Sequence, residues 1–331
     1  MTSYTPSQRI DIPAAESLFP ALKKGFDKAG LKSIKDLVDR GPIYVSKATG
    51  LDFEDAEQLC NSAASKLENQ RFVSKPFQTA AEFDENRKKN LQWISTGAKR
   101  VDSIFGGNGI ETGAVTEFYG AAGTGKTQIC YSLSVMVQQD ESKGGLSGKA
   151  LFIDTENTFS SERIRSIAKA RGLDSSNVLK NIFVATAENT LEQESTIERF
   201  ESNITCYTSI KLVIVDSVLR NYRAEFPGRS MLSERQQKLN IFMHQLLRVA
   251  ATHRIAVVVT NQVQTCPDEL YNIHPQPIGG NVMAHASTYR VYLGPSGYNR
   301  IARLVDSPYH PENEVRFRIT ERGIDDIPDR L

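Results

Sequence analysis

Residues 119–128 read YGAAGTGKTQ, and Gly120, Gly125, Lys126 and Thr127 fit the phosphate-loop spacing G-x-x-x-x-G-K-[ST]. The stretch follows an apolar strand pattern and opens a helical one, which is the context that spacing needs. The glycines let backbone N–H groups close around phosphates at a helix N-terminus. Ala121, Ala122, Gly123, Thr124 and Gln128 complete the wrap. Lys126 reaches the β and γ phosphates of a nucleoside triphosphate such as ATP, and the Thr127 hydroxyl suits Mg2+.

Two further strand ends carry acids. KLVIVDS ends in Asp216, which could hold hydrated magnesium or only cap the next segment. ALFIDTENTF ends in Asp154 and Glu156. A carboxylate there could activate the attacking water, with Glu156 the first candidate and Asp154 the second, or the pair could cap a helix. TNQV places Gln262 at a third strand end, either to sense a γ phosphate or to satisfy backbone groups there.

These ends need a scaffold. From residue 96 onward, AVTEFYG, KALFIDTE, NIFVATA, KLVIVDS and RIAVVVTNQV alternate with helical stretches. That order predicts an α/β domain with a mainly parallel central sheet. One connecting helix places Leu239, Phe242, Met243, Leu246 and Ala250 on one face after a Ser233/Gln236 capping box. The tail from Ser287 alternates and turns, which predicts antiparallel strands. Residues 1–70 read as a small helical domain, with helices over 18–30, 34–40 and 52–69 broken at Gly30, Gly41-Pro42 and Gly50. Residues 71–95 form a polar connector and 96–331 the core.

The 331 residues carry 40 basic against 39 acidic side chains, a net charge of +1. This argues against a uniformly basic nucleic-acid coat but leaves room for a local basic groove. No apolar run is long enough for a bilayer, and the start lacks a signal-peptide pattern, so a cytoplasmic protein without a membrane is expected. The four cysteines form no CxxC pair, and neither zinc nor a disulfide framework is expected. Three of the four are expected to be buried.

Six segments occur in order: STGAKRVDSIFGGNGIETGAVTEFYGAAGTGKTQ, FIDTENTFSSERI, IVDSVLRNYRAEFPGRSMLSERQQKL, VVVTNQV, PIGGNVMAHAST and RIARLVDSPYHPENEVRFRITERGI. Together they resemble the archaeal RadA recombinases of the RecA superfamily over about residues 72–328. The resemblance implies a RecA-like P-loop ATPase core. It makes RAEFPGRSM a first DNA loop with Arg229 and Arg235, and QTCPDELYNIHPQPIGG a second one ending in Gly279 and Gly280. It reads KPFQTAAEF as a polymerisation motif, with Phe77 and Ala80 docking on a neighbouring copy near Ala185 and Ala187. It also implies that His285, Asp306 and Pro311 approach the neighbour's nucleotide.

The implied activity is DNA-dependent ATP hydrolysis coupled to homologous pairing and strand exchange. The implied partners are single-stranded and double-stranded DNA, further copies of the chain in a helical filament or ring, and recombination mediators, at the nucleoid. A paralogue that binds DNA and ATP without exchanging strands is the alternative, and a hexameric helicase-like motor is a more distant one.

The chain departs from the family at three places. VSKATGLDFEDAEQL fits a helix-hairpin-helix only in part, because Asp52 stands where its second glycine belongs. This puts DNA binding by the N-terminal domain in doubt. ATAENTLEQE carries Glu188 and Glu192 where the family has aromatic and basic residues, and Ala121-Ala122 replace an acidic-aromatic pair.

Overall fold

The computed structural model describes Leu31 and residues 34–69, 78–264 and 275–328. The expected helix over 18–30, Phe77 and residues 265–274 of the second loop lie outside the described residues. Compact packing divides the chain between Asn86 and Arg87.

In the first unit, Ile34–Thr49 (α1) is helical on either side of Gly41, which stands at φ 73° and is followed by Pro42. A left-handed glycine and a residue with no backbone N–H explain the break expected there. Phe53–Asn69 (α2) follows, and Leu31, Leu37, Val45, Ala56, Leu59, Cys60 and Ala63 form the small core. Asp52 accepts a hydrogen bond from the Asp55 N–H at 2.8 Å. The start of α2 is therefore satisfied by the chain's own carboxylate.

Ala80–Asn90 (α3) buries no residue. Its start is a capping box: Thr79 Oγ1 accepts from the Glu82 N–H at 3.2 Å, and the Thr79 N–H donates to the Glu82 carboxylate at 2.9 Å.

The larger unit is built on a nine-stranded sheet in the order β13-β12-β11-β10-β3-β7-β6-β4-β5. Its parallel part is Ile182–Thr186 (β5), Lys149–Asp154 (β4), Ile210–Asp216 (β6), Ala256–Asn261 (β7), Val115–Gly120 (β3) and Tyr289–Ser296 (β10). The expected antiparallel tail follows as Asn299–Asp306 (β11), Asn313–Thr320 (β12) and Gly323–Asp326 (β13). Two short ribbons complete the strands: Trp93–Ile94 (β1) with Ile110–Glu111 (β2), and Val263–Gln264 (β8) with Gln276–Pro277 (β9).

Alternation within single strands assigns residues to two cores. Leu212 and Ile214 of β6 enter one cluster with Phe118, Phe152 and Val258. Val213 and Val215 enter the other, with Val115, Val257 and Val259. Both faces are covered, which is why the parallel strands read as nearly continuous apolar runs.

Lys99–Ser103 (α4), Lys126–Met136 (α5), Ser161–Ala170 (α6), Ser175–Lys180 (α7), Thr190–Ser202 (α8), Arg220–Glu225 (α9), Leu232–His253 (α10) and Gly280–Ala286 (α11) are the helices. The expected apolar face of α10 is buried, with Val249 added. Its expected capping box is not made. The helix starts at Leu232 behind Met231, with no side-chain cap. Ser233 is already helical and cannot adopt the extended geometry a cap needs. Gln236 Oε1 is buried without a hydrogen-bond partner.

Cys60 and Cys130 are buried free thiols, whereas Cys206 is exposed; Cys266 lies outside the described residues. Among the described residues no helix is long and apolar enough to cross a membrane, and no side-chain cluster suits a metal ion by itself.

Within the sheet, the Glu117 carboxylate is fully buried and meets Arg290 Nε at 2.9 Å, the arginine side chain being 13% exposed. Asn261 Nδ2 donates to the other oxygen at 2.7 Å. Removing one member of such a pair strands the other charge, at a cost of about 3–5 kcal/mol. Glu117→Ala should accordingly lower the thermal midpoint far more than Glu314→Ala, whose partner Arg303 sits at the surface; melts of both variants check this.

Candidate active site

β3 carries the chain into the phosphate loop at Gly120. A Cβ on that residue would stand 2.2 Å from the Leu293 carbonyl oxygen of β10, so only glycine fits. Gly123 and Gly125 take φ of 76° and 106°, and Gly125 caps the start of α5. Thr124 Oγ1 donates to the Ala121 carbonyl at 2.8 Å. The exposed backbone of Ala121, Ala122 and Gly123 thus crowns a helix N-terminus. A loop shaped this way fits a polyphosphate.

Lys126 Nζ donates to the carbonyls of Gly120 and Ala121, at 2.8 and 2.9 Å. Partial burial lowers its pKa, opposed by the nearby Asp216 and Glu156 carboxylates. Gln128 is turned aside, its Oε1 accepting from Arg163 Nε at 2.7 Å.

Asp216 ends β6 level with Asp154 of β4. Thr127 Oγ1 donates to its Oδ2 at 2.8 Å, and Thr260 Oγ1 of β7 donates to its Oδ1. Burial raises the Asp216 pKa, and these two hydrogen bonds oppose the rise. The pairing with Thr127 joins the two groups expected to share magnesium.

The two acids after β4 have separated tasks. Asp154 accepts the backbone N–H groups of Glu156 and Phe159, at 3.0 and 2.8 Å, and so folds the loop. Glu156 is half-buried, and its Oε1 accepts from Ser217 Oγ at 2.8 Å, one residue beyond Asp216. This leaves Glu156 as the acid facing the site. A similar division holds at the end of β7. Asn261 satisfies the Ile278 carbonyl at 2.6 Å through Nδ2 and the Gln262 N–H at 2.8 Å through Oδ1. Gln262 itself is exposed.

Other expected residues lie away from this cluster. Arg229 is exposed between α9 and α10, whereas Arg235 folds back, its guanidinium donating to the Phe226 carbonyl at 3.2 Å. Gly279 and Gly280 both take positive φ, and a Cβ on Gly279 would meet Met283 at 2.5 Å and Leu219 at 3.0 Å. The β8–β9 ribbon closes the base of this loop, which sequence patterning did not reveal.

Ala185 is half-buried on β5, the strand at the parallel edge of the sheet, beside exposed Phe183 and Val184. Ala187 is buried, and its carbonyl accepts from Asn221 Nδ2 at 3.1 Å. Ala80 is exposed.

His285, Asp306 and Pro311 are exposed at the opposite end of the strands from the phosphate loop. Asp306 pairs in register with Arg290, which pairs with Glu117, whereas Gly120 pairs with Leu293. His285 precedes Thr288, whose N–H meets the Val115 carbonyl at the first residue of β3.

Sequence reading missed Thr260, Ser217 and Tyr131. Thr260 was signalled by a lone hydroxyl in a fully buried apolar strand.

The buried Asp216 carboxylate places the folded pKa above the unfolded one, so its contribution to stability falls as pH rises through the usual carboxylate range. Asp216→Asn should therefore raise the nucleotide-free thermal midpoint at neutral pH, while abolishing ATP hydrolysis. Melts across pH and a turnover assay measure both effects.

The Rad51 family model matches residues 87–327, which contain the phosphate loop, both acidic strand ends and both segments expected to be DNA loops. The DNA repair and recombination protein RadA of Cenarchaeum symbiosum (strain A) is 38% identical over 325 residues, covering 98% of this chain and 81% of that protein. Similarity of that extent, over a domain in which the start of α5 and the ends of β4 and β6 bring Lys126, Thr127, Glu156 and Asp216 together, makes the chain a member of the Rad51 family.

Proposed function

We propose that this chain is a DNA-dependent ATPase that polymerises on single-stranded DNA and exchanges strands with homologous duplex. The observation that carries the reading is the opposed placement of two residue sets. Lys126, Thr127, Asp216, Glu156 and Gln262 gather at the C-terminal ends of the parallel strands. His285, Asp306 and Pro311 stand at the other end, beyond reach of their own phosphate loop. A nucleotide served by both sets lies between two copies.

In this reading the loop 120–128 cradles the triphosphate of ATP, and Lys126 exchanges its two carbonyl partners for phosphate oxygens. Thr127 and Asp216 would hold Mg2+, which would neutralise charge on the triphosphate. Glu156 takes a proton from the attacking water, and the γ phosphate leaves as inorganic phosphate. Gln262, at the base of the second loop, reports that departure. Arg229, with Arg235 and the Gly279-Gly280 hinge, contacts the DNA backbone, where phosphate pairing needs mobile cations.

Assembly follows from the edge strand. Among the described residues β5 is the edge strand of the sheet and exposes Phe183 and Val184 beside Ala185, which suits an added strand and the ring of Phe77 from the next copy. Such a contact is head-to-tail and generates a filament. The carboxylate of Asp52 at the start of α2 disfavours phosphate there, so the small helical unit is assigned to packing or docking, for example on recombination mediators.

Two experiments test the proposal. Glu156→Gln should keep nucleotide binding and filament formation while lowering turnover by about 10²-fold or more, since it removes the base with little change in volume; wild-type turnover would move the base elsewhere. Phe77→Glu puts a charge where an apolar pocket is expected. It should give a folded monomer that binds ATP but shows neither DNA-stimulated hydrolysis nor strand exchange. Electron microscopy with single-stranded DNA and a nonhydrolysable nucleotide reads the result, and wild-type filaments from this variant would sink the assembly reading.

A further inference from the structure

Tyr131 lies on α5 one turn beyond Thr127, and its side chain is 2% exposed. Its ring stacks against Phe152 at 5.8 Å and meets the edge of Phe159 at 5.8 Å, as a core aromatic does. The hydroxyl has a separate task. It donates to the Thr158 carbonyl at 2.7 Å and accepts from the Ser160 N–H at 3.0 Å. Both partners belong to the loop that carries Glu156.

At its start the loop is tied to the end of β6, through Thr155 and Ser217 and through the Glu156 carboxylate and Ser217 Oγ, each at 2.8 Å. Asp154 grips its backbone at Glu156 and Phe159, but Asp154 is on the strand from which the loop departs. Tyr131 holds it instead from the phosphate-loop helix. The same helix, one turn earlier, reaches Asp216 through Thr127 at 2.8 Å. One rigid element thus touches both the candidate magnesium ligand and the loop of the candidate base.

We infer that Tyr131 is a positioning residue for hydrolysis, its hydroxyl registering the Glu156 loop to the phosphate-loop helix so that the carboxylate stays aligned with the bound γ phosphate. The inference rests on the reading of Glu156 as the base. Burial pushes the Tyr131 phenol up to about 12, so the group remains a hydroxyl throughout the working range. It acts by direction and not by titration. Ser217 and Asp154 hold the near side of the loop; losing the Tyr131 anchor frees its far side, and small misplacements of a reacting group are costly in rate.

Tyr131→Phe is the direct test, because it keeps the ring packing and removes only the hydroxyl. In the full-length protein with single-stranded DNA, kcat for ATP should fall roughly tenfold or more, while KM, affinity for a nonhydrolysable nucleotide and the thermal midpoint stay near wild type. Glu156→Gln and the double variant complete the cycle. With no base left to place, Tyr131→Phe should not change the residual rate of Glu156→Gln. Wild-type kcat in Tyr131→Phe, with Glu156→Gln inactive, overturns the positioning role alone. Wild-type turnover in Glu156→Gln overturns the base reading and this inference with it. A loss of nucleotide affinity or melting temperature matching the loss of kcat would assign Tyr131 to the fold and equally overturn the inference.

Discussion

The site is organised around one buried carboxylate, Asp216. Its oxygens are held by hydroxyls from a helix and a strand far away in sequence, Thr127 and Thr260. An uncompensated carboxylate at this depth is costly, so the three elements are constrained together. Asp216 ends β6, Thr127 opens α5 and Thr260 stands one residue before the end of β7. Once these are fixed, the phosphate loop has one place to sit, at the switch of the parallel sheet where ligands of α/β folds bind. The pairing also leaves the carboxylate raised in pKa by burial.

Much of this was legible in the sequence, for physical reasons. The phosphate loop is a local device: its glycines, lysine and threonine fall within one turn and one helix start, so spacing alone exposes it. The parallel strands were legible because burial on both faces leaves near-continuous apolar runs. The antiparallel tail was legible through alternation, as one side of those strands faces solvent.

What escaped depends on contacts between distant segments. The division of labour between Asp154 and Glu156 follows from which carboxylate bends back to its own loop, and adjacent acids do not announce that. The same holds for Asn261 beside Gln262, where one amide is spent on backbone groups and the other is exposed. Tyr131 looked like any helix-face aromatic, since its partners Thr158 and Ser160 come from another loop. The Ser233/Gln236 box failed for the opposite reason. It is a correct local pattern, but the helix begins at Leu232, so Ser233 already lies inside its first turn.

The sheet has one parallel edge, and that asymmetry bears on how the proposed polymer ages. A chain of copies joined through β5 has two chemically different ends. At one end a β5 strand is left bare; at the other the hook carrying Phe77 finds no recipient. In the proposed polymer, a terminal copy with no neighbour at its nucleotide would lack that neighbour's His285, Asp306 and Pro311, so its ATP would turn over by a different clock from that of interior copies. Growth and loss then need not balance at the same end. On the proposed assembly such a polymer would carry an arrow, and short polymers, in which terminal copies are a larger share, would hydrolyse less per copy than long ones.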